Sequence, residues 1–204
     1  MTPAERSEYN KQYYAANKER LKATRAKKIA MSEEVRLESN TEVAYDFTKL
    51  YNLLEARKGT LLSIKKNNGR HNFHEHRGGV YGYTTARFRR TNGEMYDRSY
   101  LTNKNPAIYQ ELLHLGKNVL KFDFTSIQIN KNLTCSKHKD KKNVGESLLI
   151  SFGNYTGGEI MIDEVKHNAY KNKIIFDGHL LEHYNLPHEG NKYSLVFFKQ
   201  NKKN

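Results

Sequence analysis

The chain of 204 residues contains one cysteine, three prolines and no long apolar segment. A single cysteine, Cys135, excludes an intramolecular disulfide framework and a zinc site built from several cysteines. No apolar run approaches the roughly 20 residues that a membrane-spanning helix needs. The N-terminal segment also lacks the hydrophobic core of a secretion signal. These absences predict a soluble intracellular protein, cytoplasmic or nuclear, that does not bind membranes.

Acidic residues are scarce relative to basic ones, since 22 Asp and Glu stand against 35 Lys and Arg, for a formal net charge of +13. Such an excess of positive charge favours a polyanionic partner, most simply nucleic acid, with DNA favoured over RNA. The alternative is a lysine-rich surface without a specific partner. The oligomeric state is not indicated by the sequence.

The charge pattern predicts two parts, a basic arm of residues 1–38 and a single domain of residues 39–204. The arm is rich in Lys, Arg and Ala, and it has few apolar residues besides Tyr9 and Tyr13. It is therefore predicted to be helical or flexible. It either remains solvated or binds phosphates without sequence preference.

The domain is predicted to begin with two helices that end by about residue 116. The first is capped by Asn40 or Thr41 and ends at Lys58-Gly59. Its apolar stripe comprises Val43, Phe47, Leu50 and Leu54. Spacings of four, three and four place these side chains on one helix face, which predicts packing against a sheet.

The second predicted helix runs from Pro106 to about Leu115, with Asn105 as its cap and Gly116 at its end. Its stripe comprises Ile108, Leu112 and Leu115. From residue 121 onward, short apolar runs broken by Gly and Asn are typical of strands. These runs are 122–129, 147–152, 159–162, 173–176 and 193–198. Helices followed by short strands predict an α+β domain with a β-sandwich or jelly-roll core at about 121–199.

The motif His138-Lys139-Asp140 restricts the function more than any other part of the chain. On a strand, residues two apart point to the same face, so His138 and Asp140 could bind one metal ion. A third ligand from His183 would complete two histidines and one carboxylate. That ligand set leaves positions on Fe(II) open for a co-substrate and dioxygen. His-x-Asp alone is a weak signal, so the residues that follow it matter.

Those residues include a Gly-Gly turn at Gly158 and the pair Lys192-Tyr-Ser194. Over residues 122–198 the series resembles the iron(II)/2-oxoglutarate dioxygenases, which share a double-stranded β-helix, or jelly roll. The resemblance implies Fe(II), 2-oxoglutarate and O2 as cofactor and co-substrates. It implies His138, Asp140 and His183 as the catalytic iron ligands. Lys192 and Ser194 would then bind 2-oxoglutarate.

Within this superfamily, the spacing His-x-Asp-x-x-Asn-x-Gly is most similar to the TET/J-binding-protein branch of nucleic-acid base hydroxylases. In that branch the matching Asn contacts the target base, which implies the same role for Asn143. A turn residue after the ligand strand is the alternative interpretation. Lys192 departs from the Arg that is usual in this branch, whereas some prolyl hydroxylases of the wider superfamily have Lys there.

Two other histidines, His179 and His188, lie near His183. The family spacing to Lys192 favours His183 as the distal ligand, with His179 second. A further cluster, His71-Asn-Phe-His74-Glu-His76, is interpreted as a polar loop, and the alternative is a second metal site or the histidines of a metal-dependent nuclease.

The segment 77–90 interleaves basic and aromatic residues around glycine turns. Arg87, Arg89 and Arg90 are its candidate phosphate contacts, and its aromatic rings could stack on exposed bases. An amphipathic hairpin with aromatic residues in the core is the alternative. The sequence thus predicts an iron(II)/2-oxoglutarate dioxygenase that hydroxylates a base of the methylpyrimidine type in nucleic acid. The alternatives are a prolyl- or lysyl-type side-chain hydroxylase of the same superfamily and a non-catalytic basic nucleic-acid-binding protein.

Overall fold

The computed structural model of the protein describes residues 42–56, 61–63, 77–84, 98–140 and 143–200. The predicted arm, the cluster at 71–76 and the arginines Arg87, Arg89 and Arg90 lie outside these ranges. The predictions made for them therefore stay predictions, as does the boundary between the arm and the domain.

Helices come first along the described chain and strands dominate its second half. The helices are α1 (Thr48–Glu55), α2 (Tyr100–Lys104), α3 (Pro106–His114) and a π-helical segment, Leu115–Val119. The strands are β1 (Leu62–Ser63), β2 (Arg77–Gly82), β3 (Ser126–Lys131), β4 (Ser147–Gly157), β5 (Ile160–Ile162), β6 (Val165–His167), β7 (Ile174–Phe176), β8 (His183–Asn185) and β9 (His188–Phe198). No helix in the described ranges has the length and apolar character needed to cross a membrane.

Both predicted apolar stripes lie in the core, as expected, but the helix boundaries differ from the prediction. Val43 and Phe47 are buried ahead of α1, which begins only at Thr48. The backbone N–H of Thr48 donates to Asp46 Oδ1 at 2.9 Å, so Asp46 satisfies an orphan donor of the first turn. The predicted cap at Asn40 or Thr41 lies outside the described residues.

The second helix begins at Pro106 as predicted, but two details of its ends were wrong. Asn105 occupies the cap position without capping, because its side-chain amide donates instead to the carbonyl of Leu101 at 3.3 Å. Gly116 does not end the helix, which continues as a π-helical segment to Val119. A Cβ atom at Gly116 would collide with the ring of Phe124, so this glycine permits close packing.

Two sheets form the rest of the domain, a six-stranded sheet in the order β1-β2-β3-β9-β4-β7 and a three-stranded sheet in the order β6-β5-β8. All strand pairs within them are antiparallel. The long strand β9 occupies the middle of the larger sheet, between β3 and β4. The domain is therefore a mixed helix and strand structure dominated by antiparallel sheets.

The two faces of the larger sheet bury different groups. One face presents Phe152, Tyr193, Leu195 and Phe197, among others, to the helices. On the opposite face, Leu149 and Val196 pack with Ile160 and Ile162 of the smaller sheet. The face toward the smaller sheet therefore has an apolar end.

Farther along β4 and β9, the same face becomes polar. Because side chains alternate along a strand, Ser151, Tyr155, Lys192 and Ser194 share the face with Leu149 and Val196. These polar side chains interrupt the apolar core on this face, which makes this part of the sheet a candidate binding site.

The strands predicted from apolar runs are present, with shifted or longer bounds. β3 starts four residues later than predicted, and β4 and β9 each extend to 11 residues. Four strands, β1, β2, β6 and β8, were not among the predicted runs. β2 carries Tyr81, which is fully buried, so this aromatic of segment 77–90 belongs to the core and cannot stack on a base.

Candidate active site

Three potential ligand side chains converge beside β8. His138, Asp140 and His183 each offer one atom, and these atoms all lie within 4.8 Å of one another. The Nε2 atom of His138 is 3.8 Å from Asp140 Oδ1, and that of His183 is 3.8 Å from Asp140 Oδ2. The carboxylate thus lies between two imidazoles, an arrangement that a metal ion could bridge.

Main-chain hydrogen bonds bring the three residues together from separate parts of the sequence. His183 is the first residue of β8, and it forms an antiparallel bridge with His138. The N–H of Asp140 donates to the carbonyl of Gly178 at 2.8 Å. His138 and Asp140 therefore lie on an extended segment, although it is not the regular strand that the sequence suggested.

Each imidazole is oriented through its second nitrogen. His138 Nδ1 lies 2.8 Å from the carbonyl of Ser136, and His183 Nδ1 lies 3.1 Å from the carbonyl of Leu181. A carbonyl only accepts, so each Nδ1 carries a proton, and in the neutral ring Nε2 keeps the lone pair that can bind a metal. This is the tautomer in which metal-binding histidines are usually held.

The two histidines differ in their surroundings. A hydrogen bond with Cys135 raises the pKa of His138, whereas burial lowers the pKa of His183. The ring of His183 is also packed edge-on against Phe176, with centroids 5.0 Å apart. Burial therefore favours neutral His183, the form that can bind a metal.

Lys192 is the second unusual group of the region, because it is a lysine with only 3% of its surface exposed. Its ammonium donates to the carbonyl of Gly158 and lies 5.4 Å from the ring centroid of Tyr155. Burial lowers the pKa of Lys192 to about 8. Among the described residues, no carboxylate lies within salt-bridge distance of it, and the charge of Glu159 opposes the lowering of its pKa only from farther away.

The space around the Lys192 ammonium depends on a glycine. A Cβ atom at Gly158 would lie 2.8 Å from Lys192 Nζ and 2.9 Å from His188 Cβ. His188 Nδ1 is buried without a hydrogen-bond partner in the described structure. The region thus combines a buried cation, an unsatisfied ring nitrogen and room that only glycine leaves.

Cys135 connects the two regions. Its thiol donates to Asn185 Oδ1 at 2.9 Å, and it raises the pKa of His138 while opposing the lowering of the Lys192 pKa. Cys135 is thus within electrostatic reach of both groups. Cys135 itself is half-buried.

Ser194 and Asn143, two other predicted site residues, have defined positions. Ser194 lies opposite Ser151 of β4 and is buried, on the same sheet face as Lys192. Asn143 lies beside Asp140, with its side-chain nitrogen 3.0 Å from Asp140 Oδ2. Ser194 thus shares a sheet face with Lys192, and Asn143 contacts Asp140, while the roles predicted for both residues stay predictions.

His179, the second choice for the distal ligand, is exposed. Its Nδ1 lies 3.4 Å from the backbone carbonyl of Asp140, outside the group of three ligand atoms. Sequence reasoning had not assigned Tyr155 or His188 to the site. For His188 the sequence did hold an indication, because it lies four residues before Lys192 on the same strand and its side chain therefore points to the same face.

No protein-family model and no curated protein sequence matches the chain. Solved structures do resemble it. One is NgTET1 in complex with 5mC DNA, at 15% identity and a TM-score of 0.45, over 74% of this chain and 65% of that chain. This chain therefore spans less than two thirds of that protein's length.

Two further likenesses are an oxidoreductase of the 2OG-Fe(II) oxygenase family from Burkholderia pseudomallei and a prolyl-4-hydroxylase from Pseudomonas putida. The first has 14% identity and a TM-score of 0.46, over 76% of this chain and 78% of that chain. The second has 12% identity and a TM-score of 0.46, over 85% and 98%. The Burkholderia protein bears the name of the 2OG-Fe(II) oxygenases, the group that the sequence motifs resemble. Likenesses of this extent do not decide the activity, which has to be inferred from the residues of the site.

Proposed function

We propose that the protein is an iron(II)/2-oxoglutarate-dependent dioxygenase that hydroxylates a base in nucleic acid. The observation that carries the proposal is the convergence of His138, Asp140 and His183, whose ligand atoms lie within 4.8 Å of one another. We further propose that the two sheets form the double-stranded β-helix of this superfamily.

The donor set fits Fe(II). Two neutral imidazoles and one carboxylate occupy three positions and leave the others for a co-substrate and dioxygen. The carbonyls of Ser136 and Leu181 hold both rings with Nε2 free, so the ligands need not reorient before the metal binds. His183 is the buried member of the group, and His138 and Asp140 are the more accessible ones.

The surroundings of Lys192 fit the distal carboxylate of 2-oxoglutarate. A buried ammonium without a carboxylate partner in the described chain is unfavourable until an anion binds to it. Lys192 would supply the charge, and Ser194 on the same face would add a hydrogen bond.

The iron and its co-substrates would supply the oxidation of an unactivated C–H bond, with release of succinate and CO2. The chain's own residues would bind and orient. His138, Asp140 and His183 would fix the metal, and Lys192 would fix one end of the co-substrate. The apolar end of the inter-sheet face would exclude water from it.

The choice of a nucleic-acid substrate is supported by charge. The chain carries a formal net charge of +13, which favours association with a polyanion. Lys139, within the metal-binding motif, is exposed beside the candidate ligands. A base must leave the stack to reach such a site, so single strands or base flipping are implied.

The second candidate is a hydroxylase of protein side chains, and Lys192 is the observation that favours it. Arginine contacts a carboxylate with two parallel hydrogen bonds, whereas lysine offers a point charge. The nucleic-acid branch that the motifs resemble normally has arginine at this position. Lysine in place of arginine favours a protein side chain as the substrate, while Lys192 can still bind the carboxylate of 2-oxoglutarate.

One assay separates these candidates. The pure protein is loaded anaerobically with Fe(II) and 2-oxoglutarate, oxygen is admitted with DNA, RNA or peptide, and succinate and product mass are measured. Succinate coupled to a mass increase of one oxygen in DNA or RNA is expected. Succinate coupled only to peptide would replace the substrate proposal by the second candidate. No succinate with any substrate, together with unchanged iron binding in His138→Ala, would overturn both.

The basic segment has its own test. The variant with Arg87, Arg89 and Arg90 all replaced by Ala should show a flatter dependence of DNA affinity on salt concentration, because fewer counterions are released on binding. An unchanged slope would assign the phosphate contacts to other basic residues.

A further inference from the structure

The side chain of Asn143 is turned toward the candidate metal ligand Asp140. Its Nδ2 atom donates to Asp140 Oδ2 at 3.0 Å and to Ser147 Oγ at 3.4 Å. The backbone N–H of Asn143 also donates to the carbonyl of Asp140, at 3.3 Å. Asn143 therefore closes a short turn around the metal-binding motif through both its main chain and its side chain.

These contacts use the whole donor capacity of the amide. A side-chain amide has two N–H donors and one carbonyl acceptor. Both donors of Asn143 are engaged within the protein, so only Oδ1 remains for another group. Donation from Asn143 to a base would require the hydrogen bond to Asp140 or to Ser147 to be given up.

The carboxylate of Asp140 needs such a partner. Its two oxygens each lie 3.8 Å from one histidine nitrogen, beyond hydrogen-bond range, so the histidines do not hold it. Within the described ranges, Asn143 is the one side chain that hydrogen-bonds to this carboxylate. With Oδ2 held by the amide, Oδ1 is left to bind a metal.

The other end of this connection is firmly anchored. Ser147 is fully buried and is the first residue of β4, where it pairs with Phe176 of β7. A line of hydrogen bonds thus runs from Asp140 through Asn143 to the six-stranded sheet. The ligand that lies on an irregular segment is in this way tied to the most ordered part of the fold.

We propose that Asn143 is a positioning residue that fixes the carboxylate of Asp140 for metal binding, and that it acts before any substrate is present. This inference rests on the proposed function only in that His138, Asp140 and His183 bind a metal. It assigns to Asn143 a role different from the base contact that the sequence resemblance implies.

The test is metal affinity in the absence of co-substrate and nucleic acid. Co(II) binding is followed by titration calorimetry and by the visible spectrum, which responds to ligand geometry. Asn143→Ala is expected to weaken binding by roughly 10–100-fold, the usual effect of removing the hydrogen-bond partner of a ligand. Asn143→Ser, which keeps a shorter donor, is expected to lie between Asn143→Ala and wild type.

The matched control is Val144→Ala. Val144 is the next residue, has 40% of its surface exposed and is not part of the group. Its substitution should leave Co(II) affinity and spectrum unchanged. Thermal unfolding of each metal-free variant establishes that the titrations are made on folded protein.

His138→Ala provides the reference that separates the two proposals. If His138→Ala loses Co(II) while Asn143→Ala binds it with wild-type affinity and spectrum, the positioning role is overturned and the proposed function stands. If Asn143→Ala keeps metal affinity but raises the KM for nucleic acid, Asn143 is a substrate contact and the inference is likewise overturned. If His138→Ala binds Co(II) as wild type does, the metal site itself fails, and the inference fails with it.

Discussion

His138 and His183 exchange two backbone hydrogen bonds, each of 3.0 Å, in which the N–H of one donates to the carbonyl of the other. Their imidazole centroids are consequently only 4.3 Å apart. Because the main chain makes this connection, replacing either side chain removes a potential ligand without removing the bridge. Substitution of the more accessible His138 should therefore report on metal binding more than on folding, whereas His183 is buried against Phe176.

His138→Ala is expected to weaken Fe(II) or Co(II) binding by more than about 100-fold. Removing a metal ligand should reduce affinity more than removing the hydrogen-bond partner of a ligand, which costs about 10–100-fold. His179→Ala is the matched control, because His179 is exposed and its ring reaches only the backbone of Asp140. Its metal affinity should equal that of wild type. Titration calorimetry measures both, and a large loss in His179→Ala would instead make His179 the distal ligand.

Lys192→Met should weaken 2-oxoglutarate binding to the metal-loaded protein. The substitution preserves bulk and removes the charge, and a hydrogen bond to a charged group contributes about 1.5–3 kcal/mol. A loss of roughly 10–100-fold in affinity is expected from that contribution. Lys199→Met is the control, since Lys199 pairs with the exposed Asp123 at 2.6 Å. Equal affinities for the two variants would contradict a role for Lys192 in anion binding.

The affinity for 2-oxoglutarate should also depend on pH. Burial lowers the pKa of Lys192 to about 8, so the ammonium is charged below that pH and loses its proton above it. Affinity is expected to be constant below about pH 8 and to fall by up to about tenfold per unit above it. Calorimetric titrations across this range measure the effect. Lys192→Met should bind weakly without this dependence, and a parallel decline in that variant would assign the pH effect to another group.

Without a bound anion, the same lysine should make stability depend on pH. Its pKa is lowered from 10.5 to about 8 on folding, so between these values the unfolded chain binds more protons and stability rises with pH. Below about pH 8 the burial of the charge destabilises the fold in full. The free energy of unfolding of wild type, relative to Lys192→Met, should therefore increase between about pH 8 and 10.5. Denaturant unfolding of metal-free protein tests this, and a constant difference would contradict it.

Gly158→Ala and Gly145→Ala form a matched pair. Both glycines have positive φ, 71° and 68°, so alanine at either position should destabilise the fold by about 1–2 kcal/mol. Only at Gly158 would the new Cβ crowd Lys192 and His188, whereas nothing lies within 4 Å at Gly145. Unfolding measurements should give the larger loss of stability for Gly158→Ala, because its Cβ would also lie only 2.9 Å from His188 Cβ. Only Gly158→Ala should lose affinity for 2-oxoglutarate, and an equal loss in Gly145→Ala would exclude crowding as the cause.

Much of the candidate site could be predicted from the sequence because its signals are local or have fixed spacing. His138 and Asp140 are two residues apart, and Lys192 follows His183 at the spacing of the superfamily that the motifs resemble. The structure brings His138, Asp140 and His183 together, and it buries Lys192 on β9, the next strand along the chain after β8. Their roles as ligands and as a co-substrate contact remain predictions.

The errors arose where tertiary packing overrides a local signal. Gly116 has the position of a helix-ending glycine, but it is glycine because the ring of Phe124 packs against it. Asn105 has the type and position of a cap, yet the preceding short helix offers its amide a carbonyl at Leu101. The orientation of the Asn143 amide could not be predicted from the sequence either, because it depends on the position of Ser147 at the start of β4.

The burial of Lys192 should also affect the amount of the protein in the cell. A fold that buries a charge without a salt-bridge partner is held below its potential stability, and a ligand that neutralises the charge stabilises the native state increasingly as its concentration exceeds its Kd. Small changes in stability alter the fraction of molecules exposed to proteases. The steady-state amount of this protein is thus expected to follow the supply of the anion that pairs with Lys192, so that scarcity of the co-substrate would lower abundance as well as turnover.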